Sequence, residues 1–167
     1  MAIHETTPIE HRVISVLVEN RAGVLSHVVG LFSARGFNID SLAVGETEDP
    51  TVSRITLVAA GDLRTMEQIK KQLNKLIDVI KVQDLSEEGF TDRELMLVKI
   101  RNTPANKAAL KDLLSDYRLV VIEENAKVLF LECAESRENT KKIFEALKKI
   151  GIEEIAQTGT VALSKKN

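Results

Sequence analysis

The hydrophobic residues of the chain change period repeatedly, and each change predicts a new element of secondary structure. Residues 12–18 alternate with the two-residue period of a β-strand. Between residues 24 and 32 the apolar residues recur every three or four positions, as on one face of a helix, and Gly36 suits the end of that helix. Residues 37–44 and 52–60 predict two strands joined by a polar turn.

A second helix and a fourth strand complete this first pattern. Thr65 and Gln68 have the spacing of a capping box, in which each side chain satisfies a backbone donor at the start of a helix. Apolar residues at helical spacing follow between residues 66 and 76, and residues 79–85 predict a strand. The predicted order is strand, helix, strand, strand, helix, strand.

The same order returns after a short polar stretch. Strands are again indicated by alternating or continuous apolar runs, and the two helices by side chains that favour the N-cap position. We expect strands over residues 95–100, 119–122, 128–133 and 155–163, with helices beginning at Thr103-Pro104 and at Ser136.

Each repeat predicts a four-stranded antiparallel sheet with two helices on one face, which is the ferredoxin-like βαββαβ sandwich of the α+β class. The predicted boundaries are an N-terminal domain over residues 1–85, a linker over 86–92 and a C-terminal domain over 93–167. Helices on one face leave the other sheet face uncovered, and aromatic residues make up 4% of the chain. A modest core of this kind favours self-association or the stacking of one domain on another.

Charge and cysteine content exclude several classes of function. The 23 Lys and Arg residues nearly balance the 25 Asp and Glu residues, so no general attraction to nucleic acid or to an anionic membrane is expected. The one cysteine, Cys133, lies in an apolar run and excludes both an internal disulfide and a thiolate zinc site. No signal peptide or membrane span is recognisable. We therefore expect a soluble, cytoplasmic protein.

The common catalytic and metal-binding patterns are missing from the sequence. His4, His11 and His27 have no metal-ligand spacing, and no P-loop, G-x-G-x-x-G or G-x-S-x-G motif occurs. An Arg and an Asn can form a small phosphatase site on a ferredoxin-like fold, so Arg21 with Asn38 is one hypothesis, although nothing else in the sequence supports hydrolysis. Nucleic-acid binding by a sheet would need exposed aromatic side chains for stacking, whereas the predicted strands offer mainly Val, Ile, Leu, Ser and Thr.

The remaining candidate is ENRAGVL, residues 19–25, where a strand passes into a helix. The first N–H groups of a helix lack partners and can hold a carboxylate or a phosphate. Gly23 would let a ligand approach the backbone closely, and Asn20 can donate to a carboxylate and accept from an ammonium group, as a free amino acid requires. The alternative is that Asn20 only caps the helix and Gly23 only eases a turn.

The residues around this junction resemble a known family. The stretch VLVENRAGVLSHVVGLFSARGFNIDSLAVGETEDPTVSRITLV, residues 16–58, resembles the small regulatory subunit of acetohydroxyacid synthase (acetolactate synthase), whose first half is an ACT domain. The likeness continues through EQIKKQLNKLIDVIKVQDL, residues 67–85, and RELMLVKI, residues 93–100. It therefore covers essentially the whole chain, and it is looser between about residues 101 and 159.

The resemblance implies a regulatory subunit in branched-chain amino-acid biosynthesis, with no catalytic residues, metal or cofactor of its own. Members of this family bind the large catalytic subunit, which carries thiamine diphosphate, magnesium and FAD, and raise its activity. They also make it sensitive to feedback inhibition by valine, or by leucine or isoleucine. Their ACT domains pair side by side as a homodimer. The alternative is a stand-alone ACT-type amino-acid sensor that regulates a different partner.

The resemblance also implies which residues bind the effector, which lies between two protomers in this family. Leu25 and Ile39 would form the apolar wall that receives a branched side chain. Ala22 stands where many ACT domains have Pro. The implied effector-binding residues are Asn20, Gly23, Val24, Leu25 and Ser26 on the loop side, and Asn38 and Ile39 on the facing strand.

Overall fold

The computed structural model describes residues 10–166. These residues divide into two compact units: unit 1 contains residues 10–90 and 162–166, and unit 2 contains residues 91–161. Each unit is built on an antiparallel sheet with the strand, helix, strand, strand, helix, strand order. The predicted α+β class, two tandem ferredoxin-like βαββαβ sandwiches, is confirmed.

Unit 1 has a four-stranded sheet in the order β2-β3-β1-β4. A short helix, α3, follows the fourth strand in residues that we expected to form part of a linker. The elements are β1 (Glu10–Glu19), α1 (Val24–Ala34), β2 (Ile39–Glu46), β3 (Val52–Gly61), α2 (Leu63–Leu73), β4 (Val79–Asp84) and α3 (Leu85–Glu88).

The core of unit 1 lies between one face of this sheet and the helices α1 and α2. In the antiparallel register of β1 and β3, Ile14 pairs with Leu57 and Val16 pairs with Ile55, and all four side chains are fully buried. Because strand residues alternate between faces, this register directs one apolar set toward the helices. The helices contribute Val24, Val28, Phe32, Met66, Ile69 and Leu73 to the same core.

The ends of the two helices test the predicted caps. Gly36, with φ 67, follows α1 as expected, and the Phe37 N–H donates to the Phe32 carbonyl at 3.0 Å. The capping box predicted at Thr65 is wrong. The helix begins earlier, because the Asp62 carboxylate accepts a 2.7 Å hydrogen bond from the Thr65 N–H. Hydrogen bonds from Thr65 lower the pKa of Asp62, so the capping carboxylate stays ionised at neutral pH.

Unit 2 repeats the plan with a sheet in the order β6-β7-β5-β8, and β9 also pairs with β5. The predicted N-caps are confirmed: the Thr103 hydroxyl accepts from the Asn106 N–H, and the Ser136 hydroxyl accepts from the Asn139 N–H. The elements that follow α3 are β5 (Phe90–Arg101), α4 (Pro104–Asp116), β6 (Leu119–Glu124), β7 (Val128–Glu135), α5 (Arg137–Ile150), β8 (Ile152–Gln157) and β9 (Val161–Ser164). Phe90 and all of β9 except Val161 belong to unit 1.

The core of unit 2 is also confined to the helix-facing side of its sheet. Val98 of β5 pairs with Leu131 of β7, and Met96 pairs with Cys133. All four are buried. Burial raises the pKa of the Cys133 thiol to about 11, so it is protonated and unreactive at neutral pH. Cys133, which lies in an apolar run of the sequence, is thus a small buried side chain of the core.

The final strand is interrupted, although the sequence predicted one strand over residues 155–163. Residues 158–160 lie between β8 and β9, and their polar groups bond to residues in the first half of β5. The Thr158 N–H donates to the Leu95 carbonyl at 2.9 Å, and the Thr160 hydroxyl donates to the buried Glu94 carboxylate at 2.5 Å. The run Gln157-Thr158-Gly159-Thr160 marks this break in the sequence, and the prediction of one continuous strand over residues 155–163 is wrong.

The structure also divides the chain differently from the predicted boundaries, because residues 162–166 belong to unit 1. The side chain of Ala162 is buried in a small cluster with Val13, Val58 and Leu85, on the sheet face opposite the main core. The Lys165 N–H donates to the Gly89 carbonyl at 2.9 Å. The last strand therefore covers part of the sheet face that the helices of unit 1 leave open.

We predict that Ala162→Asp destabilises unit 1, because it places a carboxylate among buried apolar side chains that offer it no polar partner. The expected loss in free energy of unfolding is about 2–4 kcal/mol. Leu163→Asp is the matched control, since the neighbouring side chain is 61% exposed. Amide hydrogen exchange in β1 and β3 should accelerate in Ala162→Asp and not in Leu163→Asp. Equal exchange in the two variants would contradict the placement of residue 162 in unit 1.

Candidate functional site

The N-terminus of α1 lacks a capping side chain. Its N-cap is Gly23, and no side chain within the described residues caps it. The longer helices elsewhere in the described residues all begin with a side chain that accepts a hydrogen bond from their first turn. The first-turn N–H groups of Leu25 and Ser26 precede the first bond of the helical ladder, in which the His27 N–H donates to the Gly23 carbonyl. These donors are available to an anionic ligand.

Gly23 is required by its backbone conformation. Its φ of 89° and ψ of −18° lie in the left-handed region, which side chains with a Cβ enter at a cost. A Cβ added at Gly23 would meet no heavy atom within 4 Å. We expected this glycine to provide clearance. Among the described residues, no neighbouring atom would clash with a side chain at this position, so the space in front of the loop is open. A side chain is disfavoured here only because of the left-handed backbone.

Asn20 holds the loop to the neighbouring hairpin. Its side-chain amide donates to Glu46 Oε1 at 3.0 Å and to the Pro50 carbonyl at 2.9 Å, and its backbone N–H donates to the Thr51 carbonyl at 2.7 Å. We call this arrangement of Asn20, Glu46 and Pro50 the amide clamp. The alternative in which Asn20 caps α1 is wrong. Both amide hydrogens are engaged, so the group that Asn20 can offer to a ligand is its Oδ1 acceptor.

The hairpin turn is ordered by its own polar groups. Asp49 Oδ1 accepts from the Thr51 N–H at 2.9 Å and from the Thr51 hydroxyl at 2.7 Å, which lowers the pKa of Asp49. Two carboxylates of the predicted polar turn thus fix the hairpin: Asp49 from within the turn, and Glu46 through the amide clamp.

Charged side chains form a second layer around the start of α1. Arg21 is paired with Glu19 and lies 3.6 Å from Asp78, and His27 Nδ1 lies 3.0 Å from the other oxygen of Asp78. Asp78 directly precedes β4, which is the edge strand on the side of β1 away from the β2–β3 hairpin. These contacts therefore join the loop to the start of β4. The guanidinium of Arg21 is directed to these two carboxylates.

The structure places the predicted site residues in two groups. The loop group consists of Asn20, Gly23, Val24, Leu25 and Ser26. Val24 is buried in the core and Leu25 is 40% exposed, so Val24 can offer a ligand its backbone and Leu25 can offer its side chain.

The strand group consists of Asn38 and Ile39, at the start of β2. Asn38 Nδ2 donates to Asp40 Oδ1 at 2.6 Å, and His11 Nδ1 lies 2.7 Å from Asp40 Oδ2. Ile39 is partly buried against the core of unit 1.

The two groups lie at opposite ends of β2 within one chain. Ile39 pairs with Ala59 at one end of the hairpin, and Glu46, which belongs to the amide clamp, pairs with Ser53 at the other. An eight-residue strand spans roughly 23 Å at about 3.3 Å per residue. One chain therefore does not bring its own loop group and strand group together. The same separation removes the geometric basis for a phosphatase site made of Arg21 and Asn38.

A cavity of about 460 Å³ lies beside the amide clamp. Its lining includes Ile80 of β4, which is 56% exposed, and residues of the hairpin turn. The sequence analysis missed this cavity, because its walls come from three segments that are distant in the chain and no local pattern marks them. The lining residues are Glu19, Asn20, Arg21, Pro50, Thr51, Val52 and Ile80.

The described residues contain neither a metal-binding cluster nor a membrane-spanning helix. No group of three or more His, Cys, Asp and Glu side chains in this part of the chain has an arrangement that could hold a metal ion. Among the helices described, none is long and apolar enough to cross a membrane. The loop group itself offers hydrogen bonding by backbone N–H groups and one amide oxygen, next to an exposed leucine.

Comparison with known proteins gives consistent results for both halves of the chain. Residues 14–81 match a family model described as the AHAS small subunit-like ACT domain, and residues 93–166 match one described as the small subunit of acetolactate synthase. The acetolactate synthase small subunit of Buchnera aphidicola is 40% identical over 157 residues, covering 93% of this chain and 99% of that relative. The isozyme 3 small subunit of Escherichia coli is 39% identical over 155 residues, covering 92% and 95%.

A solved structure agrees with this result. The crystal structure of the acetolactate synthase small subunit from Thermotoga maritima matches with a TM-score of 0.83 and 36% sequence identity. The match covers 95% of this chain and 99% of that chain. The likeness therefore extends over both units and is not confined to the ACT domain.

We predict that alanine has opposite effects at two glycines of the α1 region. Gly23→Ala should lower the free energy of unfolding by about 1–2 kcal/mol, because alanine resists a left-handed backbone. Gly30→Ala should raise it by about 0.5–1 kcal/mol, since Gly30 lies inside α1 with open space for a Cβ. Chemical denaturation of the two variants checks this. A stabilising effect of Gly23→Ala would contradict the strained backbone at the start of α1.

Proposed function

The chain belongs to the family of acetolactate synthase small subunits, and we propose that it is the regulatory subunit of an acetolactate synthase and has no catalytic role itself. In this proposal it binds the large catalytic subunit, raises its activity and makes it sensitive to feedback inhibition by L-valine or a related branched-chain amino acid. The observation that carries the proposal is the uncapped N-terminus of α1 in the ACT domain. Thiamine diphosphate, magnesium and FAD belong to the catalytic subunit.

The loop group matches the chemistry of a free amino acid. The N–H groups of Leu25 and Ser26 and the positive end of the helix dipole favour a carboxylate. Asn20 Oδ1 can accept from the ammonium group, because the amide hydrogens are already used by the clamp. The exposed side chain of Leu25 offers an apolar contact to an aliphatic ligand. Each part of the ligand thus has a partner that the fold holds in place.

A homodimer would complete the site. β2 is an edge strand of the sheet, and its unpaired backbone groups favour pairing with a second copy. Antiparallel pairing of two β2 strands about a two-fold axis would bring the start of one strand to the end of the other. The strand group of one protomer, Asn38 and Ile39, would then face the loop group of its partner. This arrangement explains why the predicted residues are separated within one chain.

An effector between protomers has a direct route to regulation. A ligand shifts a conformational equilibrium by its difference in affinity for the two states. A site made of two protomers changes geometry whenever their pairing changes, so its affinity depends on the quaternary state. By linkage, binding of the amino acid then alters the state in which the catalytic subunit is held.

Reconstitution tests the proposal. We expect the purified chain to form no acetolactate alone, to raise the rate of its catalytic subunit when added, and to make that rate fall with L-valine. Binding of the amino acid without any effect on the rate would overturn the proposal in favour of a stand-alone sensor. Acetolactate formation by the chain alone would also overturn it.

We predict that Gly23→Asp abolishes inhibition by valine and leaves activation of the catalytic subunit intact. The substitution puts a negative charge where the ligand carboxylate is expected and strains the loop. Ser33→Asp is the control, because it adds the same charge at an exposed position near the other end of α1. Full valine sensitivity in Gly23→Asp, or its loss in Ser33→Asp, would remove the loop group from the site.

A further inference from the structure

Unit 2 contains a second amide clamp. The side-chain amide of Asn102 donates to Glu124 Oε1 at 3.2 Å and to the Asn125 carbonyl at 2.6 Å, and its backbone N–H donates to the Lys127 carbonyl at 2.8 Å. In both units, an Asn after the first strand holds the Glu that ends the second strand and a carbonyl of the hairpin turn. The two units therefore present a fixed carboxylate at the same place in the fold.

The start of the following helix differs between the units. In unit 2, the Thr103 hydroxyl caps α4, and Pro104 at the first turn has no N–H to offer. The first turn of α4 thus offers fewer open backbone donors than the first turn of α1. A site for an anionic group at this end of unit 2 therefore depends more on side chains.

A small apolar cavity lies between α4 and β6, beside the fixed carboxylate. Its volume is about 230 Å³. Leu110 and Leu129 are each 1% exposed and form its floor, while Leu114 and Val121, at 36% and 40% exposed, form its walls. The apolar walls are thus partly open to solvent, and the space is smaller than pockets for drug-sized ligands, which reach about 300–1,000 Å³.

A lysine and a glutamate lie at the rim of this cavity. Lys107 Nζ is 2.5 Å from Glu124 Oε1, and both side chains are about half exposed. A hydrogen bond from Lys107, and to a smaller extent one from Asn102, lowers the pKa of Glu124, so the carboxylate is charged at neutral pH. Glu124 is fixed by the clamp, whereas Lys107 is on a long, flexible side chain. An exposed pair of this kind is weak, so a ligand with both charges can separate it.

We propose that this cavity is a second binding site for a free α-amino acid with an aliphatic side chain. The ammonium group replaces Lys107 at the Glu124 carboxylate, and the displaced Lys107 ammonium pairs with the ligand carboxylate. The aliphatic side chain occupies the space over Leu110 and Leu129. This inference goes beyond the proposed function, because it uses none of the loop or strand groups and places a site in unit 2.

Methyl NMR of the full chain with L-leucine as the probe tests the proposal in the Gly23→Asp background. We expect saturable shifts of the Leu114 and Val121 methyl groups. Val121→Phe should abolish them by filling the cavity. Val120→Phe is the matched control, because Val120 pairs with Glu132 on the opposite face of β6 and is 49% exposed. The unit 2 methyl groups report on this site whether or not unit 1 binds an amino acid.

The charges are tested separately. Lys107→Gln should weaken leucine binding roughly tenfold through loss of a charge-assisted contact, and Lys111→Gln, one turn further along α4, should not. The analogues 4-methylpentanoate and 3-methylbutylamine each lack one of the two charges of leucine. Each should bind to the unsubstituted cavity no more tightly than leucine binds to Lys107→Gln. Absence of unit 2 shifts at saturating leucine, equal effects of Val120→Phe and Val121→Phe, or full-affinity binding of either analogue would overturn the proposal.

Discussion

Backbone N–H groups at the start of a helix need partners, and at α1 no side chain of the described residues supplies one. Gly23 creates this condition, because its left-handed backbone lets β1 turn into α1 while offering no side chain to the first turn. The amide clamp of Asn20 then holds the loop against the hairpin without filling the space in front of the donors. The candidate effector site depends on this combination of a rigid loop and an unsatisfied helix start.

The two units use one topology for different chemistry. Both clamps fix a glutamate at the end of the second strand, but Thr103 and Pro104 close the helix start in unit 2. Backbone donors at the helix start are therefore more available to an anion in unit 1 than in unit 2. In unit 2 the charges come from Lys107 and Glu124, which are side chains and can be varied without changing the fold.

Local patterns in the sequence predicted the elements well, and contacts between distant residues accounted for what was missed. Thr103 and Ser136 were recognised as caps because each precedes a helical pattern with no competitor. At α2, both Asp62 and Thr65 suit an N-cap, and the choice of Asp62 follows from where the helix starts against the sheet. The apolar run around Ala162 indicated that this residue is buried. The sequence did not indicate that it packs against unit 1.

The candidate site shows the same limit. Gly23 and the helix start were found from seven consecutive letters, ENRAGVL. The clamp joins residues 26 and 30 positions apart, so the sequence did not reveal that the Asn20 amide was already engaged. The separation of Asn38 from the loop followed only once the hairpin register was known.

In the dimer that we propose, one effector site takes its loop group from one protomer and its strand group from the other. The most direct measurement is valine binding by mixed dimers of Gly23→Asp and Asn38→Glu chains, each of which should bind no valine alone. Refolding an equal mixture should restore about a quarter of the sites, because mixed dimers contain one intact site each. No recovery in verified mixed dimers, or normal binding by Asn38→Glu alone, would contradict a site shared between protomers.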